Sequence, residues 1–182
     1  MTTQHNVIAQ VAQRDLCCGC GVCAAVCRKR CLEMRLDRQD QFVPMTVGEC
    51  TGCGVCLRLC PFANVNEEFD PEDALGPIDS AFVGYSLVED ERARAASGGL
   101  ATRVLSALLE RGLVDKVIAT APEDSGHGWF APRLFAHPTE LAAAQGSKYC
   151  PVEFSKPITQ VLQTPGRYAI ICLPCVGRAL RL

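Results

Sequence analysis

The chain has 182 residues, 48% of them hydrophobic, and a formal net charge of −2. That is enough apolar material for two modest cores and too little charge of one sign to capture a nucleic acid. No apolar run reaches the ~18 residues that a membrane span needs.

Residues 1–15 are polar with short apolar stretches and do not read as a secretory leader, so a cytoplasmic location is expected. Ten of the thirteen cysteines then fall between Cys17 and Cys60, and the next is Cys150. In a reducing cytosol such a cluster points to metal ligands or redox groups rather than disulfides.

The cysteines form an internal repeat. Cys17, Cys20, Cys23 and Cys27 follow C-x2-C-x2-C-x3-C, and Cys50, Cys53, Cys56 and Cys60 repeat it. Thiolates three residues apart on a glycine-containing loop can face a common centre, and in two-cluster bacterial arrangements the fourth cysteine of each run serves the other cluster. That rule assigns Cys17, Cys20, Cys23 and Cys60 to one 4Fe-4S cluster and Cys50, Cys53, Cys56 and Cys27 to a second. Zinc is the alternative, but its thiolate sites usually combine two separated C-x2-C pairs and have no use for a third cysteine at this spacing. Gly19, Gly21, Gly52 and Gly54 let the backbone approach the sulfurs. Cys18 and Cys31 lie outside the spacing and read as packed bystanders. Between the repeats, residues 32–46 suit a β-hairpin turning at Asp37-Arg38-Gln39-Asp40. Residues 16–66 thus resemble the bacterial two-cluster ferredoxins, with Arg28 standing where a proline is common and Pro61 in its usual place.

From residue 61 to 77 the composition turns to Asn, Glu, Asp and Pro, with an acidic stretch at 67–73 that reads as a solvated linker. The domain boundary is placed there, giving units 1–76 and 77–182. Residues 82–88 predict a strand. Ser97-Gly98-Gly99 opens a helix whose Leu100, Val104, Ala107 and Leu108 share a face, and Gly112 closes it. A second strand is expected at 117–121, then a loop over 121–138 in which His127, Trp129 and His137 are packing residues. A helical turn at 141–145, a helix at 157–163 and a buried strand at 168–173 follow, and Pro174-Cys175 leads into a helix over 176–182. Strands alternating with helices imply an α/β unit with partly parallel pairing. The chain stops within about two turns of that last helix, so a fragment is expected. The fold class is α+β: a ferredoxin-like dicluster module followed by an apparently incomplete α/β flavin-binding domain.

Ser97-Gly98-Gly99 at a helix start, Gly146-Ser147-Lys148-Tyr149 ahead of Cys150, and Ile170-Ile171 leading into Leu173-Pro174-Cys175 together resemble the coenzyme F-420 hydrogenase and dehydrogenase beta-subunit family. The resemblance implies FAD beside the two 4Fe-4S clusters and hydride exchange with a deazaflavin or similar conjugated acceptor. It also implies a redox partner such as a hydrogenase, a dehydrogenase or a ferredoxin. It carries the flavin contacts onto Ser97, Gly98, Gly99, Gly146, Ser147, Lys148, Pro174 and Cys175. Cys172 and Leu173 replace the glycine and threonine that the family commonly shows before Pro-Cys.

Physically, a helix start can hold a phosphate or a reduced flavin's anionic edge; the plainer reading is a serine N-cap beside a solvated lysine. Cys150 reads as a small buried residue. No catalytic acid or base is assigned. Two other functions fit the same residues: a dicluster electron carrier without flavin, and a thiol-disulfide oxidoreductase using Cys172 and Cys175, with the helix start lowering a thiol pKa.

Overall fold

The computed structural model describes residues 5–63, 78–123 and 130–181. Asn6 opens the first element. Its side-chain oxygen accepts from the amides of Ile8 (3.0 Å) and Ala9 (3.4 Å) and so caps α1, Val7–Gln10. Single-turn helices α2 (Val22–Ala25) and α3 (Val55–Arg58) each start after a left-handed glycine and carry the third cysteine of their repeat. Strand β1 (Leu32–Leu36) pairs antiparallel with β2 (Phe42–Thr46), Leu36 facing Phe42. Asp37 closes this hairpin by accepting from the amides of Gln39 (2.8 Å) and Gln41 (3.0 Å).

A second sheet has the order β4-β3-β5. Its centre, β3 (Lys116–Pro122), runs parallel to β5 (Tyr168–Ile170) and antiparallel to β4 (Phe130–Phe135). Around it lie α4 (Glu89–Ala93), α5 (Leu100–Glu110), a 3-10 turn at Pro138–Ala144, α6 (Ser155–Gln163) and α7 (Pro174–Arg181). The molecule is therefore mixed α and β with two small sheets. Among the described residues no helix is long and apolar enough to cross a membrane.

Four local expectations need correction. Residues 82–88 form no strand: among the described residues no strand pairs with them, and Phe82, Val83 and Leu87 are 92%, 105% and 89% exposed. The expected loop 121–138 contains β4, an edge strand, which is where a sheet accommodates a proline such as Pro132. Helix α5 is rotated from the expected face: Leu105 is buried and Leu108 and Leu109 pack beside it, whereas Leu100 and Val104 are exposed. The strand at 168–173 is shorter than expected and only half-buried. His127 and Trp129 lie outside the described residues, as does the 76/77 boundary.

Two cores bear on function. One gathers Val7, Val11, Leu32 and Leu57 with Cys31 and Cys56, and thiols of both repeats pack against it. The other joins Val22 of α2 to Ile118, Phe154, Ile158, Val176 and Ala179, so the first cysteine loop shares an interior with the β3 sheet and its helices. The Phe154 amide donates to the Cys20 carbonyl at 3.0 Å across this junction.

Asp115 clamps β3 to the chain entering β5, accepting from the Arg167 amide at 2.7 Å and its guanidinium at 3.3 Å. The amide bond, ahead of the guanidinium, holds this carboxyl below its usual range. Its contribution to stability is complete at neutral pH and disappears as pH falls below about 4 and through the depressed value. Replacing Asp115 with Asn should flatten the acid limb of a plot of urea midpoint against pH.

Candidate functional site

The two cysteine loops repeat each other in detail. In the first, the Gly19 amide donates to Cys17 Sγ at 3.4 Å. In the second, the Gly52 amide does the same for Cys50 and is the main reason that its thiol titrates low, with Asn6 Nδ2 adding a bond at 3.7 Å. Amide donors aimed at sulfur are what stabilise a thiolate held by a cluster.

The thiols of the two runs lie within electrostatic reach of one another: Cys17 feels Cys18 and Cys60, Cys23 feels Cys17, Cys56 and Cys60, and Cys56 feels Cys53 and Cys50. Burial pushes Cys17, Cys23, Cys56 and Cys60 up, a cost that bonding to iron removes by neutralising the buried thiolate. A cavity is walled by six cysteines, Cys17, Cys18, Cys20, Cys23, Cys56 and Cys60, together with apolar side chains such as Val11 and Phe62. Thiols gathered around an apolar hollow, with amides directed at sulfur, have the chemistry that an iron-sulfur group needs. Among the described residues no three His, Cys, Asp or Glu side chains converge tightly enough to hold one ion. A cubane asks for a looser set, because its four irons share four thiolates.

A second cavity, of about 350 Å³, opens over the start of α5. Ser97, Gly98 and Gly99 line it together with Gly146, Ser147 and Ile171. Ser97 does not cap the helix: Gly99 is the N-cap, left-handed and without a side-chain bond. The first helical residues, Leu100, Ala101 and Thr102, therefore line the cavity with amides that have no partner within the helix.

Residues 81–159 match the family described as coenzyme F420 hydrogenase/dehydrogenase, beta subunit N-term. This segment resembles that family. A chain in the xenon-derivatised F420-reducing [NiFe] hydrogenase complex from Methanosarcina barkeri is 25% identical over 37% of this chain, with a TM-score of 0.34. The present chain spans 23% of that chain's length. No curated protein matches.

Five of the eight expected flavin contacts, Ser97, Gly98, Gly99, Gly146 and Ser147, line one cavity. Lys148 is turned away from it. Its Nζ donates to the carbonyls of Ala144 (3.1 Å), Gln145 and Gly146 (2.9 Å) and lies 5.6 Å from the Phe130 ring centre. Pro174 and Cys175 start α7 and do not line the cavity. Cys175 instead reaches Cys18, whose thiol is drawn down to about 6 chiefly by its hydrogen bond with Cys20. Burial pushes both Cys172 and Cys175 up, the reverse of what an activated dithiol requires.

Sequence reasoning missed the support behind the cavity. Buried Ser86 donates from Oγ to Glu91 Oε2 at 2.6 Å, Glu91 Oε1 accepts from Arg103 at 3.3 Å, and the Ser86 amide donates to the Gly98 carbonyl at 2.7 Å. The signal lay in the acids of α4 and the basic residue one turn into α5, which gave no motif. Replacing Glu91 with Ala should cost about 2 kcal/mol, because Ser86 and Arg103 lose an acceptor in a mostly buried place. Urea titration reads that loss, and Arg103→Lys should cost less.

Proposed function

We propose that the chain is the iron-sulfur flavoprotein part of an oxidoreductase, in which residues 1–76 hold two 4Fe-4S clusters and residues 77–182 contact FAD. Electrons pass between clusters and flavin, and the flavin exchanges a hydride with a deazaflavin coenzyme or a similar conjugated acceptor. A redox protein or subunit supplies or removes single electrons, and the work is cytoplasmic. The observation that carries this reading is the convergence of Ser97-Gly98-Gly99 and Gly146-Ser147, nearly fifty residues apart in sequence, on one cavity at an uncapped helix start.

The residues have separable tasks. Gly98 and Gly99 let this wall of the cavity pack closely on Gly84, Tyr85, Ser86 and Glu91, and the α5 amides face an anionic phosphate or the anionic edge of a reduced ring. Cys17, Cys20, Cys23 and Cys60 would hold the cluster nearer the cavity, since Cys172 packs in the same core as Cys20 and is bonded to Ile171, which lines the cavity. Cys27, Cys50, Cys53 and Cys56 would hold the other. The flavin supplies the interconversion of one-electron and two-electron chemistry.

Anaerobic purification followed by iron, sulfide and acid-released flavin assays tests the reading. About eight irons with one FAD per chain is the expected result. Full iron without flavin would make the chain an electron-relay subunit. Gly98→Ala provides a sharper check. A Cβ there would sit 2.9 Å from the Gly84 carbonyl oxygen and 3.0 Å from Tyr85 Cβ, so the loop must move into the cavity. Flavin content should fall severalfold while iron stays unchanged.

A further inference from the structure

Cys31 was read from spacing as a bystander, yet the fold gives its thiol a specific place. It is 3% exposed, and its Sγ lies 3.4 Å from that of Cys27. Cys50 lies within electrostatic reach of it. Both neighbours belong to the same set of four, so one buried sulfur touches one of the thiols assigned to the second cluster and lies near another.

The local backbone explains the placement. After α2 the Arg30 amide donates to the Cys27 carbonyl at 2.9 Å, and Arg30 itself is left-handed, with φ +49°. This reversal, at a residue type that adopts such a conformation only at a cost of roughly 1–2 kcal/mol, brings the chain back so that Cys31 faces Cys27. The Val47 amide then fixes Cys31 by donating to its carbonyl at 3.0 Å. Nothing equivalent exists in the second repeat, where Pro61 follows the last cysteine and Asn64 occupies the position matching Cys31. A residue serving only to fill space would not require sulfur, and would not be set directly against the sulfur of a ligand.

We propose that Cys27 and Cys31 are interchangeable occupants of one ligand position at the second cluster. The inference rests on the iron-sulfur reading of the cysteine repeat. When one sulfur bonds iron it does so as a thiolate, and the other holds the proton; an exchange breaks one sulfur-iron bond, forms another and passes that proton across the 3.4 Å contact. No net charge or oxidation state changes.

The experiment compares Cys27→Ala, Cys31→Ala and the double variant of the full chain, prepared anaerobically and reconstituted with iron and sulfide. Iron and sulfide per chain are assayed, and reduced samples are examined by electron paramagnetic resonance. Each single variant should keep about eight irons, with Cys27→Ala showing altered signals from one cluster, and the double variant should drop to about four. Cys53→Ala, which removes a ligand without a neighbouring substitute, should drop to about four on its own, whatever becomes of Cys27. Four irons or fewer in Cys27→Ala overturns the proposal while leaving the two-cluster reading intact, and so does a double variant that retains eight. A wild-type chain that takes up no iron overturns the reading beneath it.

Discussion

Gly21→Ala is expected to destabilise the protein by about 3 kcal/mol or more, while Gly52→Ala, at the place in the sister loop that matches Gly19, should cost only about 1 kcal/mol. Both glycines are left-handed, at φ +80° and +66°, so each substitution carries the strain of that conformation. The difference lies in the surroundings. A Cβ on Gly21 would fall 2.4 Å from Glu153 Oε2, 2.8 Å from the Ser155 amide and 3.0 Å from that of Phe154, whereas one on Gly52 would meet nothing within 4 Å. The Glu153 carboxylate can swing away, but the two amides start α6 and cannot. Gly21→Ala must therefore part the first cysteine loop from α6 and break the Phe154 to Cys20 hydrogen bond. Urea midpoints for the two variants measure the contrast directly, and equal losses would mean that the loop does not press on α6.

Removing iron should have the larger effect. The core of the cysteine module holds four buried aliphatic side chains, Val7, Val11, Leu32 and Leu57, and two buried cysteines, with Ile8, Leu16, Phe62 and further thiols only partly buried against them. A module of this size rarely stays folded on so few apolar groups without a staple. Stripping the iron with a chelator under reducing, anaerobic conditions should abolish the cooperative melt of this module, on the scale of the ~10 kcal/mol that structural metal centres contribute to small domains. Circular dichroism melts before and after chelation, with visible absorbance as the record of iron loss, provide the check. A transition temperature that does not move would mean that these thiols hold no structural centre. Because Val22 and Cys20 also pack against α6 and α7, the loss should extend to the β3 sheet.

The parts that were legible in the sequence are those governed by local rules. The thiol spacing, the β1–β2 hairpin around Asp37, β3, and α6 with α7 depend on periodicity and turn chemistry within a dozen residues. Residues 82–88 misled because their apolar side chains imitate a strand, and a strand needs a partner that no local pattern announces. The proline in β4 misled in the opposite sense, since its tolerance depends on the strand being at an edge. For α5 the spacing offered Leu100, Val104 and Leu108 as one face and Leu105, Leu108 and Leu109 as another, and only the packing of Val117 and Phe135 decides between them. At the sites, residue types could be named but not their meetings. That Ser97 and Ser147 share a cavity, that Lys148 bends back on its own loop, and that Cys175 faces Cys18 are all consequences of tertiary packing.

The interior shared by Val22, Phe154 and Val176 bears on how electrons would travel. Redox proteins that dock a carrier domain on a tether wait for diffusion to bring donor and acceptor together, and their rates slow in viscous solvents. Here the first cysteine loop is welded to the sheet that carries Ile171, so the separation between thiol cluster and cavity is a property of a packed solid. Transfer across it should be indifferent to added glycerol, with its speed set by distance and driving force alone.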